Sequence, residues 1–259
     1  MTLVLTEDRD GVRHVVLNRP EKRNAFDLGL VTATGEALHA AAADPLVRCV
    51  ILRGAGPMFS SGMDLGALAA LAAEPHRLRP FRAACLDAFG IAETMPKPVV
   101  CQVHGACIGG ALELALACDL RVVAEDAVLG LPETRIGLIP DVGGASRLPQ
   151  VVGLGRAKEL IMTGKLIGGT EAEKIGLANR AVPAAEVERA TAELVGELLA
   201  CAPVAVGLAK RAIDASARPA LSTTLELEVA LQAVCAASED FGEGAAAFRE
   251  KRAPVFRGV

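Results

Sequence analysis

The chain has 259 residues, of which 52% are hydrophobic and 22% are charged, and its 27 basic and 31 acidic residues give a net charge of −4. A chain of this size and apolarity buries a substantial core, which excludes an intrinsically disordered protein. The acidic balance, the 3% aromatic content and the absence of Trp and Tyr exclude the basic, aromatic-lined surfaces that bind nucleic acid, and also any mechanism that needs a phenol.

The first part of the chain is predicted to form a β-hairpin, a helix and a further strand. Residues 3–5 and 12–17 have the character of strands and flank the turn-forming sequence Asp-Arg-Asp-Gly at 8–11. Apolar residues then recur with helical spacing over 27–43, and 47–52 is a short apolar run of strand length. The chain therefore begins with alternating strands and helices.

The same succession of strand, glycine-containing loop and helix recurs in the middle of the chain. It is seen at residues 98–103, at the loop around Gly105 and at 109–118, and a weaker strand pattern follows at 120–123. Repeated units of this kind are typical of the α/β class, with near-parallel strands and helices outside them. The fold class expected from the pattern is therefore α/β.

The C-terminal quarter is predicted to be entirely helical. After residue 183 no strand-like run remains, and helical spacing is found at 184–200, 204–215, 221–236 and 243–252. Earlier in the chain, the alanine-rich segment 67–73 is followed by Glu-Pro-His-Arg. We expect this segment to be a mobile loop or lid, with a simple surface helix as the alternative.

The location expected from the sequence is the cytoplasm. No apolar run approaches the roughly 18 residues of a membrane-spanning helix, and the first ten residues lack the basic and apolar regions of a signal peptide. The seven cysteines lie mostly inside apolar runs without a Cys-x-x-Cys pair, which is typical of buried thiols in a reducing compartment. No membrane and no nucleic-acid partner is expected.

Two glycine-containing segments could bring backbone N–H groups to a ligand. The segment 59–65, Phe-Ser-Ser-Gly-Met-Asp-Leu, follows a strand and leads toward a helix, and the glycine pair Gly109-Gly110 opens the helix at 109–118. Unpaired N–H groups at such a helix start can hold an oxyanion, although either segment alone is more often a tight turn. His104 precedes the second segment, and a structural role is favoured for it.

Two carboxylates accompany these segments. Glu113 lies in the first turn of the helix, and Glu133 follows twenty positions later in the sequence Gly-Leu-Pro-Glu. A strand and a return of the chain fit between them, so the two side chains could face each other across a pocket and act as acid and base next to a carbonyl. For Glu113 the alternative is stabilisation of the helix dipole.

Five motifs in chain order carry a resemblance to a known superfamily. They are Leu-Asn-Arg-Pro at 17–20 with Asn-Ala at 24–25, the segment 59–65, the glycine-rich stretch 105–119, Pro-Glu at 132–133, and Gly-Gly-Ala-Ser-Arg-Leu-Pro at 143–149. Together they resemble the crotonase, or enoyl-CoA hydratase/isomerase, superfamily over essentially the whole chain. The resemblance implies a spiral of ββα turns at 1–195, and a C-terminal helical region at 196–259 that builds a homotrimer, usually paired into a hexamer.

The resemblance also implies an acyl-CoA thioester as substrate and no separate cofactor or metal. The N–H groups of Met63 and Gly110 match the oxyanion hole, and Glu113 and Glu133 match the two catalytic glutamates of the hydratases. Further residues are expected to line the substrate site: Lys22, Arg23, Ala25, Ser61, Asp64, Leu65, Gly66, Gly109, Asp141, Phe248 and Lys251. For Lys251 a solvated helix face is an equal alternative.

Within the superfamily, the presence of both glutamates favours an enoyl-CoA hydratase, a lyase of fatty acid β-oxidation. Asp141 departs from the typical hydratase pattern, which has glycine there. A similarly placed acid occurs in dienoyl-CoA isomerases and hydroxyisobutyryl-CoA hydrolases, so an enoyl- or dienoyl-CoA isomerase and a 3-hydroxyacyl-CoA hydrolase remain alternatives, as does a non-catalytic acyl-CoA-binding protein. Asp141 could also simply cap the helix that starts near Gly143.

Overall fold

The structure is a computed structural model, and it describes residues 2–73, 75–217 and 221–255. The strands in these ranges are β1 (Val4–Arg9), β2 (Val12–Leu17), β3 (Cys49–Gly54), β4 (Val99–Val103), β5 (Ala106–Ile108), β6 (Leu120–Ala124), β7 (Val128–Gly130), β8 (Ile167–Gly168) and β9 (Arg180–Val182). The α-helices are α1 (Leu28–Ala43), α2 (Leu65–Ala73), α3 (Pro75–Thr94), α4 (Gly110–Ala117), α5 (Gly144–Val152), α6 (Leu154–Thr163), α7 (Gly169–Lys174), α8 (Val187–Leu199), α9 (Pro203–Ala217), α10 (Leu221–Ala236) and α11 (Glu239–Glu250). Residue 133 begins a short 3₁₀ helix, Glu133–Ile136.

The strands form two sheets. The larger sheet has the order β1-β2-β3-β4-β6-β9, and the smaller has the order β5-β7-β8. In the larger sheet only β1 and β2 are antiparallel, and the register runs from Val15 through Leu52 and Cys101 to Arg121. Strands β3 and β4 are buried on both faces, which is why they read as continuous apolar runs in the sequence.

Helix α1 packs on β1 and β2 of the larger sheet and against α3. The carboxylate of Asp27 caps α1 by accepting a hydrogen bond from Leu30 N at 2.9 Å, and the face with Leu30, Val31 and Leu38 is fully buried. Just before this cap, Phe26 contacts Phe89 of α3 edge to face, with ring centroids 5.8 Å apart. The segment leading into α1 is therefore fixed by the core.

Most of the elements predicted from the sequence are confirmed. The N-terminal hairpin, the helix capped at Asp27, the strands at β3, β4 and β6, and the helix at α4 all lie within a few residues of their predicted limits. The mobile loop predicted at 67–73 is wrong: residues 65–73 form α2, the alternative given above. The last helix begins at Glu239 rather than at residue 243, because the Ser238 hydroxyl caps it through Phe241 N.

Helices α8 to α11 follow the last strand, as predicted, and α11 packs back on the 3₁₀ helix that begins at Glu133. The domain division predicted at residue 195 falls inside α8. Within the described residues, no single helix is both long and apolar enough to cross a membrane. The segments Ala184–Leu199 and Pro203–Ala215 meet that criterion only as a pair, and the pair is bent by 102°.

Candidate active site

One wall of the candidate site is the extended segment that ends at Met63. Its backbone lies between residues 24–26 and β5: Phe26 N donates to Gly62 O at 2.8 Å, and Ser60 N donates to Ala106 O at 3.0 Å. The pairing with Phe26 uses the carbonyl of Gly62 and the N–H of Asp64. Because bonded groups alternate along an extended chain, the N–H of Met63 faces away from this pairing.

Asn24 is the buried side chain that organises this wall. Its Nδ2 donates to the carbonyls of Ala55, Met58 and Phe59 at 2.9–3.0 Å, and its Oδ1 accepts from Arg19 N at 2.9 Å. The residue has a φ of 52°, a left-handed conformation that Asn tolerates better than most residues. Thus the Asn-Ala motif holds the segment that carries Met63.

The second wall is the start of α4. Gly109 has a φ of 58°, and Gly110 is the first residue of the helix. A Cβ placed on Gly110 would lie 2.6 Å from Met63 Cε, so these two residues are neighbours. Among the described residues, no hydrogen bond has the N–H of Met63 or of Gly110 as its donor. Two free N–H groups at one place provide the arrangement needed to hold an oxyanion.

Both walls open into a cavity of about 460 Å³. Its lining brings together several residues predicted from the sequence: Ser61, Met63, Leu65, Gly109, Gly110, Glu133 and Phe248. Leu138, Leu166, Arg135 and Arg252 also line it, and no motif in the sequence pointed to these four. They lie in segments that are far apart in the sequence, and the tertiary fold brings these segments together.

Glu133 presents an unusual carboxyl group to this cavity. Its Oε2 is buried and has no hydrogen-bond partner, while its Oε1 lies close to Gly109, where a Cβ would come within 2.8 Å. Burial, with a smaller contribution from the Asp141 charge, raises the pKa of Glu133 to about 7. Near neutral pH this group therefore exchanges a proton readily.

Glu113 has the opposite environment. It is 2% exposed, and its Oε1 accepts hydrogen bonds from Val142 N at 2.9 Å and Gly144 N at 2.8 Å. Two N–H donors stabilise the ionised carboxylate. Glu113 lies one helical turn after Gly110, a residue that lines the cavity, and the prediction that its carboxylate faces Glu133 across the pocket stays a prediction. Close packing of Gly144 against Glu113 causes the burial.

Asp141 does not cap a helix, contrary to the structural alternative in the sequence analysis. Helix α5 starts after Gly143 without a side-chain cap, and Glu113 from α4 takes its first N–H groups. Asp141 instead pairs with Arg82 of α3, with Nε and Oδ2 3.4 Å apart. Burial raises the pKa of Asp141 to about 6, and Arg82 opposes that rise.

The other predicted residues lie around the cavity or away from it. Lys22 and Arg23 are exposed beside the first wall, and Ala25 is buried. Asp64 accepts from Arg19 and from Gly66 N, so its carboxylate anchors the start of α2. Leu65, Gly66, Phe248 and Lys251 line an adjoining pocket of about 320 Å³. His104 Nε2 lies 2.9 Å from Gly56 O and outside the cavity, which fits the structural role favoured for it.

The chain resembles known proteins over nearly its whole length. The family model described as enoyl-CoA hydratase/isomerase matches residues 7–259. Crotonyl-CoA hydratase of Syntrophomonas wolfei is 34% identical over 98% of this chain and 97% of its own length. The enoyl-CoA isomerase/hydratase fer4 of Mycosarcoma maydis is 36% identical over 96% of this chain and 93% of its own length.

The fold is matched as well. The crystal structure of an enoyl-CoA hydratase from Mycobacterium avium subsp. paratuberculosis superposes with a TM-score of 0.89 and 32% identity, covering 98% of both chains. The crotonase-like α/β core with a C-terminal helical region, expected from the sequence motifs, is thereby confirmed. The chain belongs to the enoyl-CoA hydratase/isomerase family.

Proposed function

We propose that this protein is an enoyl-CoA hydratase, which adds water across the 2,3 double bond of a 2-enoyl-CoA thioester. The observation that carries the proposal is the contrast between its two glutamates. Glu113 is held by two N–H donors, whereas Glu133 has a buried, unpartnered oxygen and a pKa raised to about 7. Two carboxyl groups whose environments differ in this way are suited to act as base and acid in one reaction.

In the proposed mechanism the thioester oxygen accepts hydrogen bonds from the N–H groups of Met63 and Gly110. Glu113 takes a proton from a water molecule as the water oxygen bonds to the β-carbon, and the π electrons move toward the thioester to give an enolate. The protonated Glu133 then gives its proton to the α-carbon. The oxyanion hole stabilises the negative charge that develops on the thioester oxygen.

One observation favours a second candidate, an enoyl- or dienoyl-CoA isomerase. The Asp141 carboxylate is close enough to Glu133 to raise its pKa, so a third acid stands behind the proposed proton donor. An isomerase moves a proton between carbon atoms without adding water, and a pair of interacting carboxyls can do this. We rank hydration first because the isomerase reaction leaves the anchored carboxylate of Glu113 without a role.

We propose that the CoA part of the substrate lies along the cavity mouth. Phe248 is 60% exposed there, and the cations Lys22, Arg23 and Lys251 are exposed around the same end of the molecule. Exposed Lys and Arg side chains suit the phosphates of CoA. CoA enters as part of the substrate, so the reaction as proposed uses no separate cofactor.

We further propose that the chain assembles as a homotrimer, or as a hexamer made of two trimers. Helices α9 and α10 carry large apolar side chains that one chain leaves exposed, with Val204 73%, Ile213 65% and Val234 70% exposed. Covering such side chains is a driving force for association. Sedimentation at micromolar concentration should give a trimer or hexamer, and a monomer as the only species would contradict the proposal.

The pH dependence of kcat/KM should report the proton donor. Because Glu133 must be protonated to serve the α-carbon and its pKa is raised to about 7, kcat/KM should fall as the pH rises above 7. The expected fall is about tenfold per pH unit on the alkaline side. Asp141→Asn should move this limb to lower pH, because the Asp141 charge raises the Glu133 pKa. A flat profile from pH 6 to 9 would contradict the assignment.

A further inference from the structure

The turn at 141–144 is hydrogen-bonded to a buried arginine on one side and to the Glu113 carboxylate on the other. The peptide group between Asp141 and Val142 accepts at its carbonyl a hydrogen bond of 2.8 Å from Arg82 Nε, and its N–H donates to Glu113 Oε1. One peptide group therefore connects a buried guanidinium directly to the carboxylate. A hydrogen bond to the carbonyl of an amide polarises the group and strengthens donation by its N–H.

The next peptide group of the turn is held by a second arginine. Arg147 Nη1 donates to Val142 O at 3.0 Å, and the same guanidinium pairs with Glu93 of α3 through Nη2 at 2.7 Å and Nε at 3.3 Å. A Cβ on Gly143 would collide with Arg147 Nη1, so the turn lies directly against this guanidinium. The N–H of Gly144 belongs to the next peptide group along the chain, and it is the second donor to Glu113.

Both arginines are deeply buried: Arg82 is 8% exposed, and Arg147 is 2% exposed. Burying a guanidinium is costly and is commonly no more stabilising than an apolar side chain of the same size. Here each one is directed at a carbonyl of the single turn that supplies the donors to Glu113. General stability does not account for two buried guanidinium groups that bond the same turn.

We infer that Arg82 and Arg147 are positioning residues that act through the turn at 141–144 to fix the Glu113 carboxylate for taking a proton from the attacking water. The inference rests on the proposed hydratase function. Neither arginine is among the residues that line the cavity. Arg82 acts on the orientation and the donor strength of the Val142 N–H, because it bonds the carbonyl of the same peptide group. Arg147 acts on the orientation of the turn that carries the Gly144 N–H, and through these two N–H groups both arginines act on Glu113.

The test compares Arg82→Met/Asp141→Asn with Asp141→Asn alone, so that the two proteins differ only at Arg82 and no unpaired carboxylate remains. Arg79→Met, an exposed change on the same helix α3, serves as the control. The Arg147 arm uses Glu93→Leu/Arg147→Met, which replaces the whole buried pair by apolar side chains and so preserves folding. Two rates are measured: hydration of crotonyl-CoA, and exchange of the α-hydrogens of butyryl-CoA with D₂O.

Hydration needs Glu113, whereas α-hydrogen exchange needs only Glu133 and the oxyanion hole. We expect kcat for hydration to fall about 10- to 100-fold in both arms, the range expected when a reacting group is displaced by up to an ångström. The KM and the exchange rate should stay within about twofold. Unchanged hydration would overturn the inference. An equal fall of hydration and exchange would also overturn it, because both arginines would then support the whole site.

Failure of the proposed function is seen separately, as absence of hydration by the unaltered protein. In that event the infrared carboxylate band of Glu113, identified by its loss in Glu113→Gln, decides about the arginines. The band should shift between Asp141→Asn and Arg82→Met/Asp141→Asn if Arg82 acts on Glu113. An unshifted band would overturn the inference whatever reaction the protein catalyses.

Discussion

Replacing Glu113 or Glu133 with glutamine is expected to lower the rate of crotonyl-CoA hydration by about 10²- to 10⁴-fold, the range that proton transfer by a positioned side chain supplies. Glutamine keeps the shape of glutamate but takes up no proton from water and gives none to carbon. Binding of a CoA ester should therefore remain within about threefold.

The two variants differ in a way that separates their roles. Glu113→Gln should retain the exchange of α-hydrogens in a saturated acyl-CoA, because that exchange uses Glu133. Glu133→Gln should lose both hydration and exchange. The two activities are measured by the absorbance of the enoyl thioester and by deuterium incorporation. Full hydration activity in either glutamine variant would remove that residue from the mechanism.

Replacing Gly110 with proline is expected to lower kcat by about 10²- to 10³-fold, the loss typical for one donor of an oxyanion hole. Proline has no N–H, and its ring would enter a space in which even a Cβ would lie only 2.6 Å from Met63 Cε. Gly110 is the first residue of α4, a position at which helices accept proline. The loss should therefore appear in turnover more than in the melting temperature.

The matched control for this variant keeps the donor and fills part of the same space. Gly110→Ala with Met63→Ala retains both N–H groups and removes the Met63 side chain that an alanine Cβ would meet. This double variant should keep kcat within about tenfold of the unaltered protein. If the proline variant is folded and as active as the control, the oxyanion hole lies elsewhere.

The fold was predictable from the sequence where local pattern and burial coincide. Strands β3 and β4 are buried on both faces, and the helical spacing over 27–43 matches α1. The strands β5, β7 and β8 have only two or three residues each and are set by pairing between distant segments. Such strands leave no periodic signal, because a run of three residues has no period to detect.

The candidate site was predictable in its parts but not in its arrangement. Motif order located Met63, Gly110, Glu113 and Glu133. The N–H groups that bond Glu113 lie about thirty positions further along the chain, at the turn before α5. From the sequence alone, Asp141 is a possible cap of that helix. The raised pKa of Glu133 depends on burial by distant segments, which no spacing reveals.

The burial of Arg82 and Arg147 has no signal in the sequence, although Arg147 stands in the motif at 143–149. Arg82 stands in an ordinary helical stretch and contacts Asp141 59 positions later, while Arg147 contacts Glu93 54 positions earlier. A charged residue in a helix is usually solvated, so burial of these two could be found only in the tertiary structure. Arg135 and Arg252 are exposed, and their meeting at the cavity likewise emerges only from the tertiary structure.

The central claim, water addition by Glu113 and Glu133, is tested most directly by identifying the products formed from 2-enoyl-CoA, 3-enoyl-CoA and 3,5-dienoyl-CoA by the unaltered protein and by Asp141→Asn. We predict that the 2-enoyl substrate gives a 3-hydroxyacyl-CoA with one oxygen from solvent water. Asp141→Asn should keep that rate within about tenfold, since asparagine preserves the shape of the side chain. Double-bond migration that depends on Asp141, without detectable water addition, would contradict the hydratase assignment and support the isomerase.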